Sequence, residues 1–214
     1  TLAVHNGILA RRPTDHATLF RTLMDPVDMA DAVRFLRGEG LAPLVFVDRY
    51  AEGVDVLLDR EHPDDPFWSD IRRRNREWFL RVDDVLAWTE DILQIAVWHE
   101  ADRLRAVQAR FRATFGDRMT EHLVTNVHYL GAVFEAYAPD AGKGDAVRHV
   151  RERLGIPAEA VCAIGDDVND VPMIRAAGLG VAMGNARSEV KAAADRILRG
   201  WANILLDALN ESRQ

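Results

Sequence analysis

Three carboxylates and an amide fall within five residues: Asp166, Asp167, Asn169 and Asp170. They follow a short apolar run, 161–164, and a single glycine, Gly165. Like charges packed this closely repel one another. A hard divalent cation such as Mg²⁺ takes oxygen ligands in rigid geometry and would offset that repulsion. In open parallel α/β sheets, ligands sit beyond the carboxyl ends of the strands, and Asp166 stands just there. A plainer reading stays open beside this one. Asp167 can face solvent, and Asp170 can cap the helix that Pro172 begins.

Lys143 supplies a second group with chemistry in it. It opens a helical segment between Gly142 and Gly144. The helix dipole puts partial positive charge at that end, so a lysine is unfavourable there unless an anion is near. Helix N-termini bind phosphate, and glycines let a ligand approach the backbone. A lysine that is merely exposed is the alternative. The run "GLGVAMGNA", 178–186, is not a dinucleotide fingerprint, because its glycines follow a helix and enclose a strand. Gly178 and Gly180 are read as ending one element and starting the next, and Asn185 as the cap of the following helix.

The elements that must position these residues alternate regularly. Expected are a helix over 143–154 with Ala146, Val147, Val150 and Leu154 on one side, and a strand over 161–164. A helix over 171–177, a strand over 180–183, a helix over 187–194, a short strand over 196–198 and a helix to the end follow. Strands and helices in alternation with short links imply a parallel sheet with crossovers. The start, "TLAVHNGILA", reads as two strands about a turn at Asn6-Gly7, with "ATLFRTLM" extending the hairpin.

Residues 24–138 have a different rhythm of hairpins and helices, read as a second domain inserted into the first. Asp25-Pro26 opens a helix with Ala30, Val33, Phe35 and Leu36 on its apolar side. Strands are expected at "APLVFVD", "GVDVLLD" and "ILQIAVWHE", and two more in 122–139. The segment 101–116 is an amphipathic helix with Leu104, Val107, Phe111 and Phe115 on one face. The basic run Arg72, Arg73, Arg74 and Arg76 is read as a solvated helix face, with a surface that greets an anion as the alternative.

Bulk composition narrows the partners. The chain has 214 residues and a formal charge of −7, which argues against nucleic acid, since phosphate backbones need Lys/Arg stripes. No apolar run approaches the ~18 residues of a membrane span, and no signal peptide is visible. The single cysteine, Cys162, allows no disulfide within the chain, which fits a reducing cytosol, and its place in an apolar run predicts a buried, inert thiol.

Together, "GKGDAVRHVRERLGIP" and "GDDVNDVPMIRAAGLGVAMGNARSEVKAAAD" resemble the C-terminal core of the haloacid dehalogenase superfamily, in its Cof-type sugar-phosphate phosphatase branch. "HNGIL" resembles the NGA strand of that family, and "LMDPVDMADAVRFL" with the residues after it resembles its α/β cap. The resemblance implies an α/β fold: a Rossmann-like parallel sheet flanked by helices, formed by 1–23 with 139–214, and an inserted α+β cap over 24–138. It implies an Mg²⁺-dependent hydrolase acting on small phosphorylated metabolites through an aspartyl-phosphate. Carried over, Asp166 is the metal ligand, and Asp170 supports the metal directly or through water. Lys143 holds phosphate and nucleophile. Asn169 and Asn6 contact the substrate, and the cap closes over it.

The family's first motif, an apolar strand ending in DxDGT, has no match in these residues, nor does its second, a Thr or Ser after another strand. Asp25, Asp28 and Asp31 fall on a helix with no strand before them and are not substitutes. The expectation is therefore a piece of a longer phosphatase whose nucleophile lies outside this sequence, and a strand edge beside Asp166 left open. That edge invites pairing, so monomer and homodimer both remain open. The other reading is a degenerate, non-catalytic relative that binds a phosphorylated ligand or a protein partner.

Overall fold

The computed structural model describes residues 2–74, 79–125, 130–139 and 141–198. In chain order the elements are β1 (Leu2–Val4), β2 (Leu9–Arg11), β3 (Thr18–Arg21), α1 (Pro26–Gly38), β4 (Leu44–Arg49), β5 (Val54–Asp59), α2 (Pro66–Arg74) and β6 (Phe79–Val82). They continue with β7 (Ile92–His99), α3 (Ala101–Phe115), β8 (Thr120–Val124), β9 (Ala132–Tyr137), α4 (Lys143–Leu154), β10 (Cys162–Gly165), α5 (Val171–Ala176), β11 (Leu179–Met183), α6 (Ser188–Ala193) and β12 (Arg196–Leu198). The helix expected after residue 198 lies outside the described residues. The chain divides into two compact units, residues 1–21 with 141–214 and residues 22–140.

Among the described residues the first unit is built from two small sheets and three α-helices. β1, β2 and β3 form an antiparallel sheet in that order. β10, β11 and β12 form a parallel one, with Ile164 opposite Val181 and Val181 opposite Arg196. Their crossovers are α5 and α6, whose Ile174 and Val190 pack with Ala182 and Ala186. Asp195 locks the link into β12 by accepting the Gly180 N–H at 2.8 Å, while its own N–H donates to the Gly180 carbonyl. This is the alternating α/β pattern that the sequence implies. α4 packs on α5 through Gly144, where a Cβ would lie 2.9 Å from that of Pro172.

Two expectations are corrected here. Cys162 is exposed rather than buried: it opens β10, which is the edge strand of its sheet among the described residues. Burial still pushes its thiol pKa up, opposed by the nearby Arg196. Leu154 is 58% exposed, because α4 buries Gly144 and Ala146 near its start and its last turn is uncovered.

The second unit carries a six-stranded sheet in the order β6-β5-β4-β7-β9-β8, antiparallel except between β5 and β6. Strand alternation sends Val45, Val47, Ile95 and Val97 into one apolar core, and Leu44, Val56 and Leu58 into a second. α1 and α3 cover the first face. Asp25 caps α1 by accepting the Val27 N–H at 2.7 Å, and Pro26 fills the first turn, where its missing N–H costs nothing. The stripe α1 buries is Met29, Ala32, Val33 and Leu36, one position around from the side expected, with Ala30 and Phe35 only half-buried. α3 buries the expected Leu104, Val107, Phe111 and Phe115. The Phe111 ring meets Phe134 at 5.1 Å and Phe35 at 5.5 Å, both edge-on. α2 and Trp68 serve the second face. On α2, Arg72 and Arg73 are exposed as expected, while Arg76 lies outside the described residues.

Asp28 and Asp31 on α1 have a plain role: both pair with Arg118. Such exposed pairs contribute little. The energy of this unit rests on its aromatic seam. Phe111→Ala is expected to cost about 3–5 kcal/mol in urea unfolding, and Asp25→Ala only about 1 kcal/mol.

Candidate functional site

The acidic turn does not splay its charges into solvent. Asp170 is 4% exposed, and both its oxygens are occupied. One carboxylate oxygen accepts the Asp166 and Asp167 backbone N–H groups, at 2.9 and 3.1 Å. The other accepts from Lys143 Nζ at 2.5 Å. Asp167 caps the short turn 168–170 by accepting the Val168 N–H at 2.7 Å, and meets Arg187 Nε at 3.1 Å. Each repulsive carboxylate is thus given amides or a cation. The expectation that Asp170 caps α5 is corrected: its side chain makes no capping bond to that helix and reaches back to the turn.

Lys143 is the first residue of α4, and its ammonium finds the anions its position demands. Besides Asp170, it donates to Asn169 Oδ1 at 3.3 Å. A lysine has no acceptor, so this contact fixes which way the Asn169 amide points. Asn169 Nδ2 then donates to Asn6 Oδ1 at 3.0 Å. The structure therefore brings Asn6, Lys143, Asn169 and Asp170 into one chain of hydrogen bonds. Asn6 comes from the turn between β1 and β2, where His5, Asn6 and Gly7 all have positive φ, at 51°, 54° and 89°. Gly7 is required: a Cβ there would sit 2.6 Å from the Gly142 carbonyl oxygen, just before Lys143.

Asp166 follows β10, half-buried. Its Oδ2 meets Asn185 Nδ2 at 3.4 Å, and its carbonyl accepts the Arg187 N–H at 3.2 Å. Among the described residues its Oδ1 takes no hydrogen bond, so Asp166 is the carboxylate of the turn with an oxygen to offer. Among those residues, too, no group of three or more His, Cys, Asp or Glu forms a closed metal cage. Mg²⁺ does not need one: it is commonly held by one or two carboxylates, with waters and phosphate oxygens completing the shell. The donor set at Asp166 fits that cation.

Asn185 was expected as a helix cap. The residue before α6 is instead Arg187, and Asn185 turns to Asp166. Neither Asn185 nor Arg187 stands out as a site residue in the sequence. The signal that finds them is topological: "GNAR" follows the carboxyl end of β11, the strand beside β10, so both loops open at the same end of the sheet.

The family model described as haloacid dehalogenase-like hydrolase matches residues 1–201. The chain belongs to that family, a family of enzymes, consistent with its Cof-type branch. A phosphatase of Bacillus subtilis (strain 168) is 47% identical over 64 residues, 30% of this chain and 22% of the relative. A phosphoglycolate phosphatase of Methanothrix thermoacetophila is 37% identical over 102 residues, 44% of this chain and 46% of the relative. The chain thus spans less than half the length of these curated relatives. A crystal structure of a haloacid dehalogenase-like hydrolase from Bacteroides thetaiotaomicron has a TM-score of 0.69 at 23% identity, covering 90% of this chain and 68% of the other. One from B. subtilis has a TM-score of 0.67 at 23% identity, covering 90% and 72%. These two structures establish the α/β fold.

Gly165 tests how tightly the site is built. A Cβ there would lie 2.3 Å from Asp170 Cβ and 2.5 Å from its Cγ, with no room for the buried carboxylate to retreat. Gly165→Ala is expected to cost roughly 2–3 kcal/mol in urea unfolding. At Gly38, where nothing lies within 4 Å of the added carbon, Ala is expected to be neutral or slightly stabilising.

Proposed function

We propose that this chain supplies the metal- and phosphate-handling residues of an Mg²⁺-dependent phosphatase for small phosphorylated metabolites such as sugar phosphates. The observation that carries this reading is the Lys143 ammonium, held at the start of α4 by Asp170 and Asn169 in the same turn as Asp166. An ammonium at a helix N-terminus beside a carboxylate with an open oxygen suits a phosphate and a divalent cation bound together. The names of the relatives, a phosphatase and a phosphoglycolate phosphatase, support the same class of reaction.

In this reading the nucleophile is an aspartate outside these 214 residues. Its carboxylate attacks phosphorus, the ester P–O bond breaks as a second aspartate two residues on protonates the departing alkoxide, and the aspartyl-phosphate is then opened by a water that the same aspartate deprotonates. Mg²⁺, when bound, neutralises charge on the phosphoryl oxygens. Asp166 would hold it. Asp170 supports the site from behind, fixing the turn and the lysine. Lys143 holds phosphate and nucleophile and offsets the charge that builds in the transition state. Asn169 and Asn6 contact the phosphoryl group or its neighbour. The second unit serves as the cap that closes over the substrate and selects it. The protein works as a monomer or homodimer in the cytoplasm, with neither nucleic acid nor membrane as a partner. No helix among the described residues is long and apolar enough to cross a membrane.

Phosphate release from a panel of sugar phosphates by the full-length protein is the test. Release is expected to need Mg²⁺, to stop on chelation, and to vanish in Asp166→Asn. Lys143→Ala is expected to lower kcat by about 10²–10³. Activity that survives Asp166→Asn or chelation contradicts the proposal. Tight binding of phosphorylated ligands without any turnover would favour a non-catalytic relative instead.

A further inference from the structure

The second unit holds a cavity of about 330 Å³, and none of its lining residues belongs to the Lys143–Asp166 site. Leu41, His62, Asp65, Trp68, Trp98 and His99 are among the residues that line it. It lies at the His99 end of β7. The chain enters the unit at the opposite end of that strand, where the Met24 N–H donates to the Ile92 carbonyl. The volume falls at the small end of the range for ligand pockets, and apolar walls with a few polar groups are their usual composition.

Trp68 is the unexplained group. It is 3% exposed, and its indole Nε1–H has no acceptor among the described residues. An indole nitrogen can only donate, and a buried donor without a partner is costly. The ring cannot easily turn to find one. Asp65 Oδ1 accepts the Trp68 backbone N–H at 2.7 Å. The ring itself is hemmed in by His62 at 4.9 Å and Phe79 at 5.0 Å, with Arg81 Cζ 5.9 Å from its centre.

The neighbouring imidazoles are held in place, and burial disfavours their charged form. His62 has Nδ1 3.1 Å from the Pro63 carbonyl and Nε2 3.3 Å from that of Ala42, and burial pushes its pKa down. His99 Nδ1 accepts the Glu100 N–H, and burial followed by the Arg103 charge lowers its pKa. The cavity therefore offers aromatic rings, the Asp65 carboxylate, and an indole donor that lacks an acceptor among the described residues.

We propose that this cavity binds a small, uncharged, planar heteroaromatic molecule of nucleobase size, whose ring packs between the aromatic walls and whose acceptor atom takes the Trp68 indole N–H. The proposal stands apart from the phosphatase reading, since no residue of the Lys143–Asp166 site takes part.

The test is an indole ¹H–¹⁵N spectrum of the full-length protein, titrated with adenine and with uracil up to millimolar concentration. Trp68→Phe, which keeps the ring but loses the donor, assigns the resonance. At least one base is expected to move the Trp68 signal saturably. By calorimetry, Trp68→Phe should weaken that base about tenfold, the loss of one hydrogen bond. Ala42→Phe, which fills the cavity from its rim, should abolish the shift and keeps the test sharp if Trp68→Phe fails to fold. No saturable shift with either base, an unchanged shift in Ala42→Phe, or unchanged affinity in Trp68→Phe overturns the proposal.

Discussion

A buried carboxylate that accepts two backbone N–H groups and meets a lysine ammonium cannot move without stranding one of its partners. Asp170 is in that position, and the first unit is arranged around it. Gly165 must lack a side chain because Asp170 occupies the space. Lys143 must begin α4 because its ammonium has to reach the turn after β10. Gly7 must be bare because the β1–β2 turn passes against Gly142 and Lys143. Buried charges are retained only when paired and hydrogen-bonded, and breaking such a pair costs far more than forming it gains. The site is therefore rigid for electrostatic reasons before any ligand arrives.

That rigidity sorts the carboxylates by role. Asp170 spends both oxygens on the protein. Asp167 spends its own on the turn and on Arg187. Asp166 faces Asn185, and among the described residues its other oxygen takes no hydrogen bond. The sequence places all three in one acidic run, and only the backbone between them separates anchor, cap and open carboxylate. The proposed phosphatase would use this division, because a carboxylate that holds a cation must not also be needed to hold the fold.

Much of this was legible from residue types and spacing. Asp25-Pro26 marks the start of α1, and "ILQIAVWHE" and the 101–116 segment become β7 and α3, because caps and apolar periodicity are local signals. Lys143 between glycines, and the run Asp166–Asp170, mark a candidate site by the same kind of local signal, and the structure brings Lys143 to Asn169 and Asp170. What was not legible depends on neighbours distant in sequence. Cys162 reads as core from its apolar surroundings but opens an edge strand. Leu154 continues the apolar stripe of α4 to its last residue, where it is mostly exposed. Asn185 has the look of a helix cap, and only the parallel pairing of β10 with β11 turns it toward Asp166. The Trp68 donor, which meets no acceptor among the described residues, is invisible in sequence, since it depends on what surrounds the folded ring.

The central claim is that Asp166 and Lys143 hold a divalent cation and a phosphate as one unit. Binding of inorganic phosphate to the full-length protein, measured by calorimetry with and without Mg²⁺, tests it most directly. The account predicts that Mg²⁺ tightens phosphate binding and that Asp166→Asn removes the enhancement while the folded structure persists. Phosphate affinity that is the same with and without Mg²⁺ would contradict it.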